Sequence, residues 1–161
     1  TFNVAGLQTA AVMVPNPVLR HKLNRGLNTD EVAEPNAFAV GGAVAAFGRG
    51  EDWLEELRVY LADNKRQVRS FMEERLPEIK VVPSQATYLL WLDCSRITED
   101  AGELTRFIRQ DSGLYLTEGE EYGACGKRFI RMNPACPRQR LLEGLERLEQ
   151  SVRKYCSAGK A

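Results

Sequence analysis

The sequence predicts an α+β fold, and three observations carry that reading. From residue 52 onward the elements read helix, strand, strand, helix, strand, strand, helix, the order of a mostly antiparallel sheet covered by helices. Residues 52–76 carry an apolar stripe at helical spacing through Trp53, Leu54, Leu57, Leu61, Val68, Phe71, Met72 and Leu76. At the standard rise this is a helix of roughly 37 Å. Residues 87–94 form a nearly unbroken apolar and aromatic run, the pattern of a central strand.

Each element follows from local chemistry. Residues 6–14 are small and β-branched and read as a strand that stops at Pro15-Asn16-Pro17. Two prolines around Asn16 set a turn and a helix start. Residues 18–27 continue as a short polar helix with Leu19, Leu23 and Leu27 four apart. Residues 28–36 read as a loop punctuated by Pro35-Asn36. Residues 37–47 are small and apolar all round, including Gly41-Gly42. Such a helix needs close neighbours, and no segment of the chain stands out to supply them. The long helix ends at Pro77. A helix of that length in so short a chain bridges two domains or lies across a sheet.

Residues 79–83 read as a short strand. Residues 100–111 are amphipathic through Leu104, Phe107 and Ile108, with Gly113 placed to close the helix. Residues 114–117 and 129–132 read as strands, separated by a glycine-bearing loop. Residues 137–155 form the last helix, striped by Leu141, Leu142, Leu145, Leu148 and Val152.

Composition narrows the function. The chain has 161 residues, with 22 Lys+Arg against 22 Asp+Glu, so its formal net charge is zero. That balance argues against a nucleic-acid binder that lives on phosphate attraction. No apolar run approaches the roughly 20 residues of a membrane helix, and no signal-peptide pattern is visible. A cytoplasmic protein with neither membrane nor nucleic-acid partners is expected. Cys94, Cys125, Cys136 and Cys156 are widely spaced, and the single histidine, His21, is remote from all four. No metal site is expected. His21 lies in Leu-Arg-His-Lys-Leu, a solvated helix face rather than a triad member. The pairs Glu55-Glu56, Glu73-Glu74 and Glu120-Glu121 read as solvated faces, not as an acid–base pair. The chain opens on Thr1-Phe2-Asn3-Val4-Ala5-Gly6-Leu7 and reads as the interior of a longer polypeptide.

The most pointed constellation is residues 119–134, a glycine-rich loop running into a strand. Alternation puts Phe129, Arg131 and Asn133 on one face and Ile130 and Met132 on the other. An arginine on a rigid strand offers a planar fork suited to a carboxylate. The competing reading is an edge-strand arginine in solvent or in a structural ion pair. The loop lacks the G-x-x-x-x-G-K-[ST] pattern and leads to a strand rather than a helix, which excludes a phosphate cradle. Cys125, with no histidine nearby, reads as an inert or merely oxidisable thiol. Tyr88 and Trp91 read as core or interface packing.

Several segments, in order, resemble one family. Thr1-Phe2-Asn3-Val4-Ala5-Gly6-Leu7-Gln8 is similar to the segment that follows the cofactor lysine of fold-type I pyridoxal-phosphate enzymes, where the motif is of the type Ser-x-Ser-Lys-Thr-Phe-Asn. Glu34-Pro35-Asn36, Ala45-Ala46-Phe47-Gly48-Arg49-Gly50, and Trp53-Leu54-x-x-Leu57-x-x-Tyr60-Leu61-x-x-Asn64 continue the likeness. So do Ala86-Thr87-Tyr88-Leu89-Leu90-Trp91-Leu92-Asp93 and residues 119–137. The chain resembles the cystathionine β-lyase (C–S lyase) branch of the class I/II aminotransferases over nearly its whole length.

The resemblance implies a PLP-dependent transferase fold, with residues 1–50 as the tail of the large cofactor domain and residues 51–161 as the C-terminal small domain. It implies pyridoxal 5′-phosphate as cofactor, a small amino-acid substrate and a homodimer. It assigns Arg131 to the substrate α-carboxylate, and Asn36 to the neighbourhood of the partner subunit's active site. The Schiff-base lysine is expected just before Thr1, so the 161-residue chain alone is expected to be inactive and not to hold the cofactor normally. Many aminotransferase relatives place a phosphate-binding arginine where this chain has Gln8, and the lyase branch does not. The implied reaction is therefore cleavage of a Cβ–S bond, releasing thiol, pyruvate and ammonia. A class I/II aminotransferase is the alternative. A non-catalytic, stand-alone α+β binding domain is a further one, and the unburied apolar helix at 37–47 argues against it.

Overall fold

The computed structural model describes residues 1–159. It divides into two compact units, the first Thr1–Arg58 and the second from Val59 on. The division falls inside the long helix.

In the first unit, a single 3-10 turn, Ala5–Leu7, precedes helices α1 (Pro17–Thr29) and α2 (Ala39–Arg49). Asn16 caps α1, its side chain accepting from the backbone N–H groups of Val18 at 2.9 Å and Leu19 at 3.1 Å. Pro17 follows in the first helical position, where its missing N–H costs nothing. The strand expected over residues 6–14 is not formed among the described residues of this chain. A strand exists only through its ladder partners; residues 8–13 are exposed and pair with no strand among the described residues. Helix α2 matches its apolar reading and leaves Val40, Val44 and Phe47 exposed. Leu7 lies against it, with a Cβ at Gly42 falling 2.5 Å from the Leu7 Cδ1. Phe2 meets Phe47 edge to face at 5.1 Å between centroids.

Helix α3 (Glu51–Arg75) leads into the second unit. There follow β1 (Lys80–Val81), β2 (Leu90–Asp93), α4 (Ala101–Ser112), β3 (Thr117–Glu118), β4 (Phe129–Met132) and α5 (Arg138–Ser157). The four strands form one antiparallel sheet in the order β1-β2-β4-β3. The predicted α+β class and the central place of β2 are both observed. Leu90 and Leu92 of β2 and Ile130 and Met132 of β4 turn to one side, against Val68 and Met72 of α3, Leu104 and Ile108 of α4, and Leu145, Leu148 and Val152 of α5. Helices thus cover one face of the sheet, and its other face carries Trp91, Phe129 and Arg131.

Strand β2 starts three residues later than the apolar run predicts. Thr87 sits in the left-handed region at φ 61°, an uncommon conformation for a β-branched residue. Lys65 Nζ donates to the Thr87 carbonyl at 2.9 Å, and Leu89 N–H donates to Thr87 Oγ1 at 3.3 Å. The backbone turns there, so extended pairing starts only at Leu90. Asp100 caps α4 through a bond from Glu103 N–H at 3.1 Å, and Gly113 closes it at φ 70°, the C′ role expected of it.

Glu149 of α5 is buried and bonds to Arg75 of α3 and Arg153 of α5, with Arg153 Nη2 at 2.8 Å. Burial alone would raise its pKa, but the bonds from Arg153 and Arg75 outweigh that and hold it below its ordinary 4.5. A carboxyl whose folded pKa is depressed adds stability above its unfolded pKa and loses it as the pH falls through the folded one. Glu149→Gln is therefore expected to lower the urea midpoint at pH 7, with the gap to wild type narrowing in acid. Unfolding curves across pH 7 to 3 check this, and a gap independent of pH would contradict it.

Candidate functional site

Arg131 is the second-to-last residue of β4. In register, Trp91 of β2 stands opposite it on one side and Thr117 of β3 on the other. β4 is therefore an internal strand, which removes the edge-strand reading. The side chain is half-buried on the face turned away from the core. Its Nη2 donates to Thr117 Oγ1 at 3.3 Å, and its guanidinium carbon lies over the Tyr122 ring, 4.9 Å from the centroid. Tyr122 meets Trp91 edge to face at 5.9 Å, and Trp91 stacks on Phe129 at 5.6 Å and 16°. Among the described residues Arg131 pairs with no carboxylate; Arg20, Arg25, Arg49, Arg69, Arg96, Arg109, Arg140 and Arg147 share that property, but of these nine only Arg131 stands on a strand. No described residue of this chain forms a structural ion pair with it. What remains is a guanidinium with most of its five donors unspent, on a rigid strand, bordered by rings.

The loop before β4 sets Tyr122 in place. It makes two 3-10 turns, Gly119–Tyr122 and Ala124–Gly126, joined by Gly123 at φ 124°, a conformation that favours glycine. The turns close on each other so tightly that a Cβ on Gly126 would lie 2.1 Å from the Gly119 carbonyl oxygen. Lys127 and Arg128 then tie the loop's end to the fold, their carbonyls accepting from Ala101 N–H at 2.8 Å and Cys94 N–H at 2.9 Å. Gly126→Ala must push backbone against backbone. The expected result is a stability loss of about 1–3 kcal/mol, together with altered near-ultraviolet circular dichroism from the displaced Trp91–Tyr122 pair. Unchanged stability and spectrum would show that the loop yields freely.

The loop after β4 is held from α3. Asn64 is fully buried and donates through Nδ2 to the carbonyls of Pro134 at 2.9 Å and Cys136 at 3.0 Å. Its Oδ1 accepts from Arg138 Nε at 2.8 Å, while Arg138 Nη2 pairs with Asp63 and Arg138 N–H donates to the Tyr60 hydroxyl at 2.8 Å. Hydrogen bonds from Arg66 and Arg138 hold the Asp63 carboxyl below the usual carboxylate range. Both ends of the strand that bears Arg131 are thus pinned.

Asn36, the other candidate, lies in the first unit. Its Oδ1 accepts from Phe38 N–H at 3.0 Å and its Nδ2 donates to the Leu7 carbonyl, so its amide fixes the turn into α2. Gln8 is exposed, just after the 3-10 turn. His21 and the three glutamate pairs are exposed, as expected of solvated faces. Cys125 is exposed, while burial pushes the Cys94 thiol up to about 12. Tyr88 is exposed rather than packed in a core. Among the described residues no three His, Cys, Asp or Glu side chains gather as a metal site would require, and no helix is long and apolar enough to cross a membrane. Sequence reasoning missed Thr117, Tyr122 and the Asn64–Arg138 clamp. Tyr122 had a visible signal as an aromatic in the glycine loop ahead of Arg131, and Asn64 had one as a residue of the family-like motif, but neither signal gave the contact.

Known proteins share this arrangement of elements. The model of the aminotransferase class I and II family matches residues 1–148. Cystathionine β-lyase PatB of Bacillus subtilis is 34% identical over 94% of this chain, and protein MalY of Escherichia coli is 30% identical over 95%. Among solved structures, cystalysin from Treponema denticola, which contains a pyridoxal 5′-phosphate cofactor, superposes with a TM-score of 0.90 at 25% identity over 95% of the chain and 39% of its own. A PLP-bound C–S lyase from Staphylococcus hominis gives a TM-score of 0.81 at 27% identity over 93% of the chain and 39% of its own. The chain spans 39% of the length of PatB and 40% of MalY. With the family model covering all but its last residues, the chain belongs to the class I and II aminotransferase family.

Proposed function

We propose that this chain is the C-terminal part of a pyridoxal-phosphate C–S β-lyase. Residues 1–50 close a large cofactor domain, and residues 51–161 form the small domain that presents Arg131 to the substrate α-carboxylate. The observation that carries the reading is Arg131 itself, half-buried on an internal strand without a carboxylate partner among the described residues. A bidentate fork held in that way fixes both the position and the orientation of an amino acid's Cα. Gln8 and the C–S lyases among the relatives favour the lyase branch.

The residues present fit the substrate rather than the cofactor. No lysine here stands in the Ser-x-Ser-Lys-Thr-Phe-Asn type motif, and Lys22 and Lys127 are exposed. When bound, pyridoxal phosphate supplies an electron sink for the substrate's α-carbon, and its attachment falls to a lysine upstream of Thr1. Asn36 remains a candidate near the cofactor through the loop it holds, in a homodimer of the complete enzyme.

The test uses the complete polypeptide with its cofactor and L-cystathionine, first without and then with an added 2-oxo acid. Equal amounts of thiol, pyruvate and ammonia are expected. Amino transfer to an added 2-oxo acid without pyruvate release would replace this reading with the aminotransferase one, which the family's breadth keeps second. The 161-residue chain alone is expected to be colourless and inactive.

A further inference from the structure

We propose that Tyr122 is the positioning residue for Arg131: its ring face holds the guanidinium while leaving the arginine's charge and donors for a carboxylate. This rests on the carboxylate reading above and extends it to a residue with no previous role.

An arginine on a strand has four rotatable side-chain bonds, so an unrestrained one spends entropy each time it is ordered by a ligand. The usual restraint is an acidic partner, but an acid would neutralise the guanidinium and compete with the substrate's own carboxylate. A ring avoids both costs. It attracts a cation through its face and takes no hydrogen bond from it. Here the Tyr122 ring supplies that face at 4.9 Å, and Thr117 Oγ1 fixes one nitrogen at 3.3 Å.

Tyr122 is itself braced. Trp91 touches it edge to face, and Phe129 backs Trp91 in a stacked pair, so the three rings run from β4 through β2 back to the arginine. The contact of Gly119 with Gly126 locks the turn that carries the ring. Within this chain Tyr122 lies outside the buried core cluster. A side chain whose backbone is fixed this tightly and whose ring is braced by Trp91 is held where it meets Arg131.

The experiment uses the complete cofactor-loaded enzyme and three variants: Tyr122→Leu, Tyr122→Phe and, as reference, Arg131→Lys. Two quantities are read. One is KM against kcat for L-cystathionine; the other is the calorimetric Kd for propionate, a carboxylate without an amine, with propionamide as control. Tyr122→Leu is expected to raise KM and the propionate Kd about five- to tenfold with kcat retained and Tm unchanged. Tyr122→Phe, which keeps the ring face, is expected to restore both. If Arg131→Lys weakens propionate and Tyr122→Leu does not, the positioning role falls while the carboxylate reading stands. If neither variant alters propionate binding, the carboxylate reading itself fails. A loss of kcat and Tm with KM unchanged, or no rescue by phenylalanine, would also overturn the role of the ring.

Discussion

Replacing Arg131 with lysine in the complete enzyme is expected to raise KM for the amino-acid substrate roughly 30- to 150-fold, about 2–3 kcal/mol, with the cofactor still bound. Lysine keeps the charge but replaces a planar fork with a single ammonium, so one of two parallel bonds is lost and the other is misaimed. The half-buried setting enlarges the effect, because water cannot fully stand in for the missing donor. The effect should fall on KM when the interaction is equal in ground and transition states, and kcat should follow only if the grip tightens during reaction. Steady-state kinetics checks this, with cofactor absorbance as the control for cofactor binding. An unchanged KM would refute the carboxylate role.

The second large effect is on stability. Asn64→Leu removes the two donors that satisfy the Pro134 and Cys136 carbonyls and the acceptor that holds Arg138 Nε. Leucine has similar bulk, so no cavity term intrudes; the cost is buried polar groups left unpaired. The expected loss is about 3–5 kcal/mol, and a fall in Tm of at least about 12 °C for a unit of this size. Differential scanning calorimetry reads it directly. A shift of only a degree or two would mean that the loop after β4 finds other partners, and that its hold on Arg131 comes from the sheet alone.

Periodic elements were legible in the sequence because their own residues set them. The stripe of α3, the helix start after Pro15-Asn16-Pro17, the stop at Gly113 and the alternation of β4 all depend on neighbours within a few positions. The strand expected over residues 6–14 failed for the opposite reason. β-branched and small residues permit extension, but extension becomes a strand only with a ladder, and no described segment supplies one. The late start of β2 has a long-range cause too: Lys65, on another element, grips the Thr87 carbonyl.

The site divides in the same way. Arg131 was visible because a charged residue in an otherwise apolar four-residue strand is conspicuous. That it stands on an internal strand, without an acidic partner among the described residues, was not visible, since strand order and partners are tertiary facts. Tyr122 could be seen only as an aromatic in a glycine loop; its approach to Arg131 requires the two 3-10 turns to close through Gly119 and Gly126. Asn64 and Arg138 are 74 residues apart in sequence, and nothing local marks them as a pair.

The most direct measurement is a cycle on the carboxylate itself. The complete enzyme and its Arg131→Lys variant are each assayed with an S-substituted cysteine and with the matching α-carboxamide. If Arg131 grips the carboxylate, the wild-type enzyme discriminates strongly against the amide and the variant loses most of that discrimination, leaving a large coupling between the two changes. Equal discrimination in both enzymes would place the carboxylate elsewhere and contradict the role assigned to Arg131.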